Sequence, residues 1–146
     1  MPSLTFPVTP DGLAVPVWVG LAGKATVSLR SAGQAIPSPL LARGLLDTGS
    51  NVTAIATWVF QRLAVPVAAT GSTQTAAGPV VVNLYEVSLS ITDPGLPGAP
   101  MLTCSDLLAS ELATVLPDAD VLVGLDVLLG CRLTLDGPGR WFTLEF

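Results

Sequence analysis

The chain has no histidine, and its only lysine, Lys24, stands beside five arginines. Without an imidazole there is no Ser–His or Cys–His nucleophile and no histidine-ligated metal site. Acid–base chemistry is therefore left to carboxylates, Lys24, one tyrosine or two cysteines. Six cations against eleven acids give a net charge of −5 and a pI near 4.3. So few cations cannot build the basic patch that neutralises phosphates, and nucleic acid is not expected as a partner. Charge of either sign is scarce, at 12% of residues against 50% apolar, and the mean hydropathy is +0.66. A chain with so little charge leaves apolar surface that association would cover, which favours an oligomer. No apolar run approaches the length of a membrane-spanning helix. Residues 1–10 have neither the basic head nor the apolar core of a secretory leader, so the expected compartment is the cytoplasm, with no membrane partner. Cys104 and Cys131 stand apart, without CxxC or metal-ligand spacing, and read as small buried hydrophobes.

Glycine and proline, by contrast, are plentiful (14 and 13) and cut the chain into short pieces. Val15–Val19 and Ala25–Leu29, on either side of residues 20–24, read as a hairpin. Residues 31–39, with Gly33, Pro37 and Pro39, read as a loop, and residues 41–46 as an apolar strand running into Asp47. Trp58, Val59 and Arg62 sit at helical spacing before Pro66, which predicts a short helix over Thr57–Leu63. Residues 80–91 predict a long strand that alternates in its second half. Residues 93–100 form a Pro/Gly turn region. Residues 105–115 predict a second short helix with Ser105 as its N-cap. Residues 121–129 are a buried apolar segment. Residues 131–136 and 140–146 flank Gly137-Pro138-Gly139 as a hairpin. Many short strands with one or two small helices describe a mainly-β single domain over 1–146, with 1–12 a possible N-terminal extension or interface strand.

The segment that carries chemistry is Leu45-Leu46-Asp47-Thr48-Gly49-Ser50-Asn51. An apolar strand delivers one carboxylate into a loop of small residues. Gly49 permits close backbone approach, and the Thr48 and Ser50 hydroxyls are available to bond the carboxylate or brace the loop. Further on, Val121-Leu122-Val123-Gly124-Leu125-Asp126-Val127-Leu128 repeats the apolar approach but ends in glycine rather than acid. Asp126 reads as a structural carboxylate at a helix start, Asp118 and Asp120 as solvated loop charges, and Trp18, Trp58 and Trp141 as packing residues.

Asp47-Thr48-Gly49-Ser50, together with the later apolar-Gly-Leu-Asp element and the terminal hairpin, resembles the retropepsin-like aspartic proteases over residues 13–146. The resemblance implies a closed acid-protease barrel with one or two short helices and an aspartic endopeptidase activity that needs no cofactor or metal. It makes Asp47 catalytic and Thr48, Gly49 and Ser50 supports of the active-site loop, with Thr48 bonding across a dimer axis and Ser50 bonding the carboxylate. It places a substrate-covering flap at Thr73, Gln74, Thr75, Ala76, Ala77 and Gly78, and a structural second ψ-loop at Val123, Gly124, Leu125 and Asp126. Because D-T-G occurs once, the family pattern implies a homodimer that cleaves an extended polypeptide. A hydroxyl donor at Ser50 would favour an acidic pH optimum, and the shortage of charge would favour apolar substrate side chains. The arginine the family carries in its second motif is absent, since position 125 is Leu, so that ionic brace is missing. The alternative from another class is a catalytically silent peptide-binding or dimerisation module with the same fold.

Overall fold

Alternating apolar residues set most of the architecture. In the computed structural model, which describes residues 1–146, they form ten strands and three short helices. In chain order these are β1 (Ser3–Pro7), β2 (Ala14–Leu21), α1 (Gly23–Ser31), β3 (Leu40–Leu46), β4 (Ala54–Ile55), α2 (Thr57–Leu63), β5 (Ala69–Thr75), β6 (Gly78–Ile91), β7 (Leu102–Glu111), β8 (Val121–Val123), α3 (Leu125–Leu128), β9 (Arg132–Asp136) and β10 (Trp141–Glu145). Six strands close into a barrel in the order β2-β3-β8-β4-β7-β6, the ring being completed by β6 against β2, from Val17↔Ile91 to Leu21↔Val87. Pro16 sits just before this doubly paired stretch, where its missing N–H interrupts no ladder to β6. Beside the barrel, β1, β10 and β9 form a small antiparallel sheet.

The barrel interior is filled by every second residue of its strands. Val15, Val17 and Val19 of β2 face inward, as do Val87, Leu89 and Ile91 of β6 and Val121 and Val123 of β8, all in one apolar cluster. Phe60 of α2 stacks on Tyr85 of β6 at 3.9 Å between ring centres, and Phe6 meets Phe142 at 5.6 Å where the small sheet joins the core. Burying a side chain such as Ile55, Leu89 or Phe142, each under 2% exposed, contributes about 1.5–3 kcal/mol.

Two predicted elements are corrected. Ala25–Leu29 is not the second arm of a hairpin but part of α1, and β2 pairs instead with β3 and β6. Alternation in that segment had no core to answer to, since α1 buries none of its residues. Residues 105–115 are not a helix. Their first part belongs to β7, which runs along β6 from Leu84↔Ser110 to Ile91↔Leu102 with one irregularity between Val87 and Leu89. Cross-strand pairing on both flanks overrides the helix preference of Leu and Ala there. Residues 3–7 are an edge strand, paired from Ser3↔Glu145 to Pro7↔Trp141 with β10 of the same chain.

The turn that matters for function lies between β3 and β4. These two strands are not paired with each other, because β8 lies between them, parallel to β3 and antiparallel to β4. The loop joining β3 to β4 therefore arches over the end of β8, a ψ-shaped crossing, and Asp47 is its first residue.

Candidate active site

Three neighbouring segments hold Asp47. Its own N–H donates to Val123 O at 2.9 Å, which extends the β3–β8 ladder by one step. Its Oδ1 accepts the Gly49 N–H at 3.0 Å. A Cβ built on Gly49 would sit 3.2 Å from that same oxygen, so glycine here matters for room rather than for a left-handed backbone.

The loop is tied down from below by the β8–α3 junction. Leu125 N–H donates to Ser50 O at 2.8 Å and Gly124 N–H to Thr53 Oγ1 at 3.0 Å. Asp126 receives Thr53 N–H at 2.9 Å on one carboxylate oxygen and Thr53 Oγ1–H at 2.7 Å on the other. Thr53 is fully buried, so this pair satisfies groups that would otherwise be stranded. No charged residue opposes Asp126, and Leu125 packs against the core, so a Thr–Asp hydrogen-bonded clasp holds the two ψ-loops together without the absent arginine. Gly124 is the closest point of the crossing: an added Cβ would lie 2.8 Å from Val52 C and 2.9 Å from Ser50 O.

Above this floor lies a cleft of about 640 Å³. Asp47, Gly49 and Val52 line the bottom, Gly71, Thr73 and Thr75 of the β5–β6 hairpin the top, and Glu111, Leu112 and Leu116 one wall. The hairpin turns at Ala76-Ala77 between β5 and β6, with Gly78 at φ 113°, a conformation other residues adopt only under strain. Thr75 Oγ1 donates to Gly78 O at 2.7 Å and fastens the tip. Of the six residues predicted as the flap, Thr73, Gln74 and Thr75 line the cleft with Asp47, whereas Ala76, Ala77 and Gly78 lie outside its lining at the hairpin turn.

Other parts of the prediction change. The Ser50 hydroxyl does not bond the carboxylate; it donates to Val52 O at 2.7 Å and braces the loop, which removes the stated ground for an acidic optimum. Thr48 is exposed and its hydroxyl bonds nothing within the chain. Asp120 is no free loop charge, since it accepts Trp58 Nε1–H at 3.1 Å, whereas Asp118 stays exposed. Burial pushes both thiols, Cys104 and Cys131, above the ordinary range, so they remain protonated and unreactive near neutrality. Lys24 is engaged by Glu86 at 2.7 Å, which raises its ammonium further, and it does not line the cleft. Tyr85 is buried against Phe60. Of the acid–base groups left by the absence of histidine, only Asp47 and Glu111 face the cleft. Nothing in the sequence marks Glu111 except that it is a charged residue ending an apolar run, Leu107-Leu108-Ala109.

No helix is long and apolar enough to cross a membrane. No protein-family model matches the chain, and no curated protein matches it in sequence. Among solved structures, a retropepsin-like aspartic protease from Rickettsia conorii is similar, with a TM-score of 0.58 and 12% identity over 99% of this chain and 90% of that one. At that identity the likeness establishes the fold: a mainly-β, retropepsin-like closed barrel with few short helices.

Proposed function

We propose that the chain is an aspartic endopeptidase that works as a homodimer, each copy supplying one Asp47. The observation that carries this reading is a single D-T-G aspartate, its carboxylate bonded by Gly49 N–H and its backbone N–H by the Val123 carbonyl, on the floor of a cleft roofed by a hairpin. One such acid is half of a catalytic pair. A twofold axis beside Asp47 would bring in the same residue from a second copy, as isologous association does. The exposed Thr48, with its uncommitted hydroxyl, would meet its counterpart across that axis, and the outer edges of β1 and β9 are unpaired strands able to extend the small sheet.

The chemistry follows from two carboxylates too close to ionise together. They share one proton and act as a unit. The ionised member takes a proton from a water held between them, while the protonated member donates to the scissile carbonyl oxygen. The water oxygen bonds to the carbonyl carbon and gives a gem-diol. Its collapse breaks the C–N bond: the departing nitrogen takes the proton held by the first carboxylate, and one gem-diol hydroxyl returns its proton to the second as the carbonyl re-forms. The substrate would lie extended along the free outer edge of β5, as an added strand between hairpin and floor. Apolar neighbours such as Val82, Leu84 and Leu122 offer side-chain pockets.

The test compares wild type with Asp47→Ala on casein and a peptide library from acidic to neutral pH, with and without pepstatin, alongside sedimentation analysis. Loss of both general acid and general base should lower the rate by about 10³-fold or more. Equal cleavage by the two proteins, or cleavage by a species that sediments as a monomer, overturns the proposal. Peptide binding without cleavage by wild type would leave the silent binding module instead.

A further inference from the structure

The cleft carries a second carboxylate that the proposed hydrolysis does not use. Glu111 ends β7, at the point where β6 parts from it and continues with β5 alone as the hairpin. Its Oε1 accepts the Asn83 N–H at 2.8 Å, so the side chain takes the place of the next rung of the β6–β7 ladder. The other oxygen has no partner in the chain and is not sealed from solvent. No lysine or arginine lines the cleft, and none of the ion pairs in the chain, Lys24–Glu86, Arg43–Asp11 and Arg132–Glu145, involves Glu111. A carboxylate that is oriented by a backbone amide, half-buried in a groove and left without a cation is a receptor for one.

The strand order sets Glu111 apart from Asp47, and the two carboxylates are held by different backbone amides. Ile55 pairs with both Val121 and Glu111, and Val121 pairs with Gly44, so Glu111 is three strands across from β3. In the closed six-strand ring that is the opposite wall, so about 4.8 Å per strand gives at most about 14 Å around the sheet, no more than about four residues of an extended peptide.

We propose that Glu111 is a specificity residue that selects a lysine or arginine side chain of the substrate within about four residues of the scissile bond. This rests on the reading of the cleft as a peptide-cleaving site and changes its expected specificity. The pockets next to the scissile bond are apolar, but the outlying subsite is acidic. In a symmetric pair the two copies of Glu111 would flank the scissile bond on both sides. A carboxylate without a cation partner in the groove discriminates against acidic side chains as well as attracting basic ones.

The experiment uses a decapeptide series with lysine, norleucine or glutamate placed in turn at each position up to four from the cleaved bond. Within each protein variant the ratio of kcat/KM for the lysine and norleucine peptides is compared, so that any general loss of activity cancels. Wild type should favour lysine by about fivefold at one position on each side, the size of a partly exposed, charge-assisted contact. Glu111→Gln keeps an acceptor for Asn83 N–H but has no charge, and should bring the ratio close to one; Glu111→Lys should make glutamate the favoured residue. A lysine preference retained in Glu111→Gln, or none in wild type, overturns the proposal. If wild type cleaves none of the peptides, hydrolysis fails as a reading. The same ratio is then read from fluorescence anisotropy of the labelled peptides, where equal binding of lysine and norleucine forms overturns the role of Glu111 separately.

Discussion

The floor and the roof of the cleft are each built on a glycine, Gly124 and Gly78, and the two positions differ in what surrounds them. Gly124 is buried where two ψ-loops cross, with the Ser50 and Val52 backbones within 3 Å of where a side chain would begin. Gly78 has open space around it and is required only by its backbone angle, φ 113°. Around Gly124 the Thr53–Asp126 clasp and the bonds to Leu125 and Asp47 fix the loop to the barrel core. The hairpin tip has its own ladder and the Thr75–Gly78 bond, and Val80 and Val81 above it are exposed. The loop under the carboxylate is thus the more heavily tied of the two, and in the proposed peptidase the hairpin is the part that would open to admit a polypeptide.

The same substitution at the two glycines separates these roles. Gly124→Ala should destabilise the whole domain by about 1–3 kcal/mol, because the new methyl meets backbone rather than a yielding side chain; urea unfolding measures it, and an unchanged midpoint would show that the crossing is looser than described. Gly78→Ala should leave that midpoint nearly in place. Its local strain of about 1 kcal/mol should appear instead as a drop in kcat/KM of up to about tenfold. A large loss of global stability there would mean that the hairpin is part of the cooperative core. The smallest effect is expected at Ser50→Ala. It removes one hydroxyl bond, to Val52 O, at a stability cost of about 0.5–1 kcal/mol, and it should not move the acidic limb of the pH–rate profile. A shifted limb would show that the hydroxyl reaches the carboxylates once the pair is assembled.

How far the chain could be read beforehand depended on whether local pattern and tertiary contact agreed. Thr57–Leu63 is helical as its spacing predicts, with Val59, Phe60 and Leu63 facing the core and Pro66 beyond its end. The hairpin of β9 and β10 follows directly from Gly137-Pro138-Gly139 between alternating strands. The retropepsin-like barrel itself followed from the D-T-G-S and apolar-Gly elements taken together. Where local pattern misled, an outside factor decided: α1 carries a strand-like alternation that nothing buries, and β7 carries helix-favouring residues held straight by β6. At the site, Asp47 announces itself through its flanking sequence. The Thr53–Asp126 clasp spans 73 residues and the Glu111–Asn83 bond spans 28, contacts that exist only once the barrel closes. The Ser50 hydroxyl was misassigned for a different reason: its partner is set by the fold of the loop, which directs it to Val52 O.

The parallel register of β3 and β8 sets Leu45 beside Leu122 and Leu46 beside Val123, so the next step along would set Asp47 beside Gly124. The spot in the fold most nearly equivalent to Asp47 is therefore one that has no space for a side chain. A mutation giving this chain an aspartate of its own at that spot would push apart the backbone that presents the first. Under the proposed mechanism the second acid would therefore have to come from somewhere other than this spot, as it does when another copy of the chain supplies it.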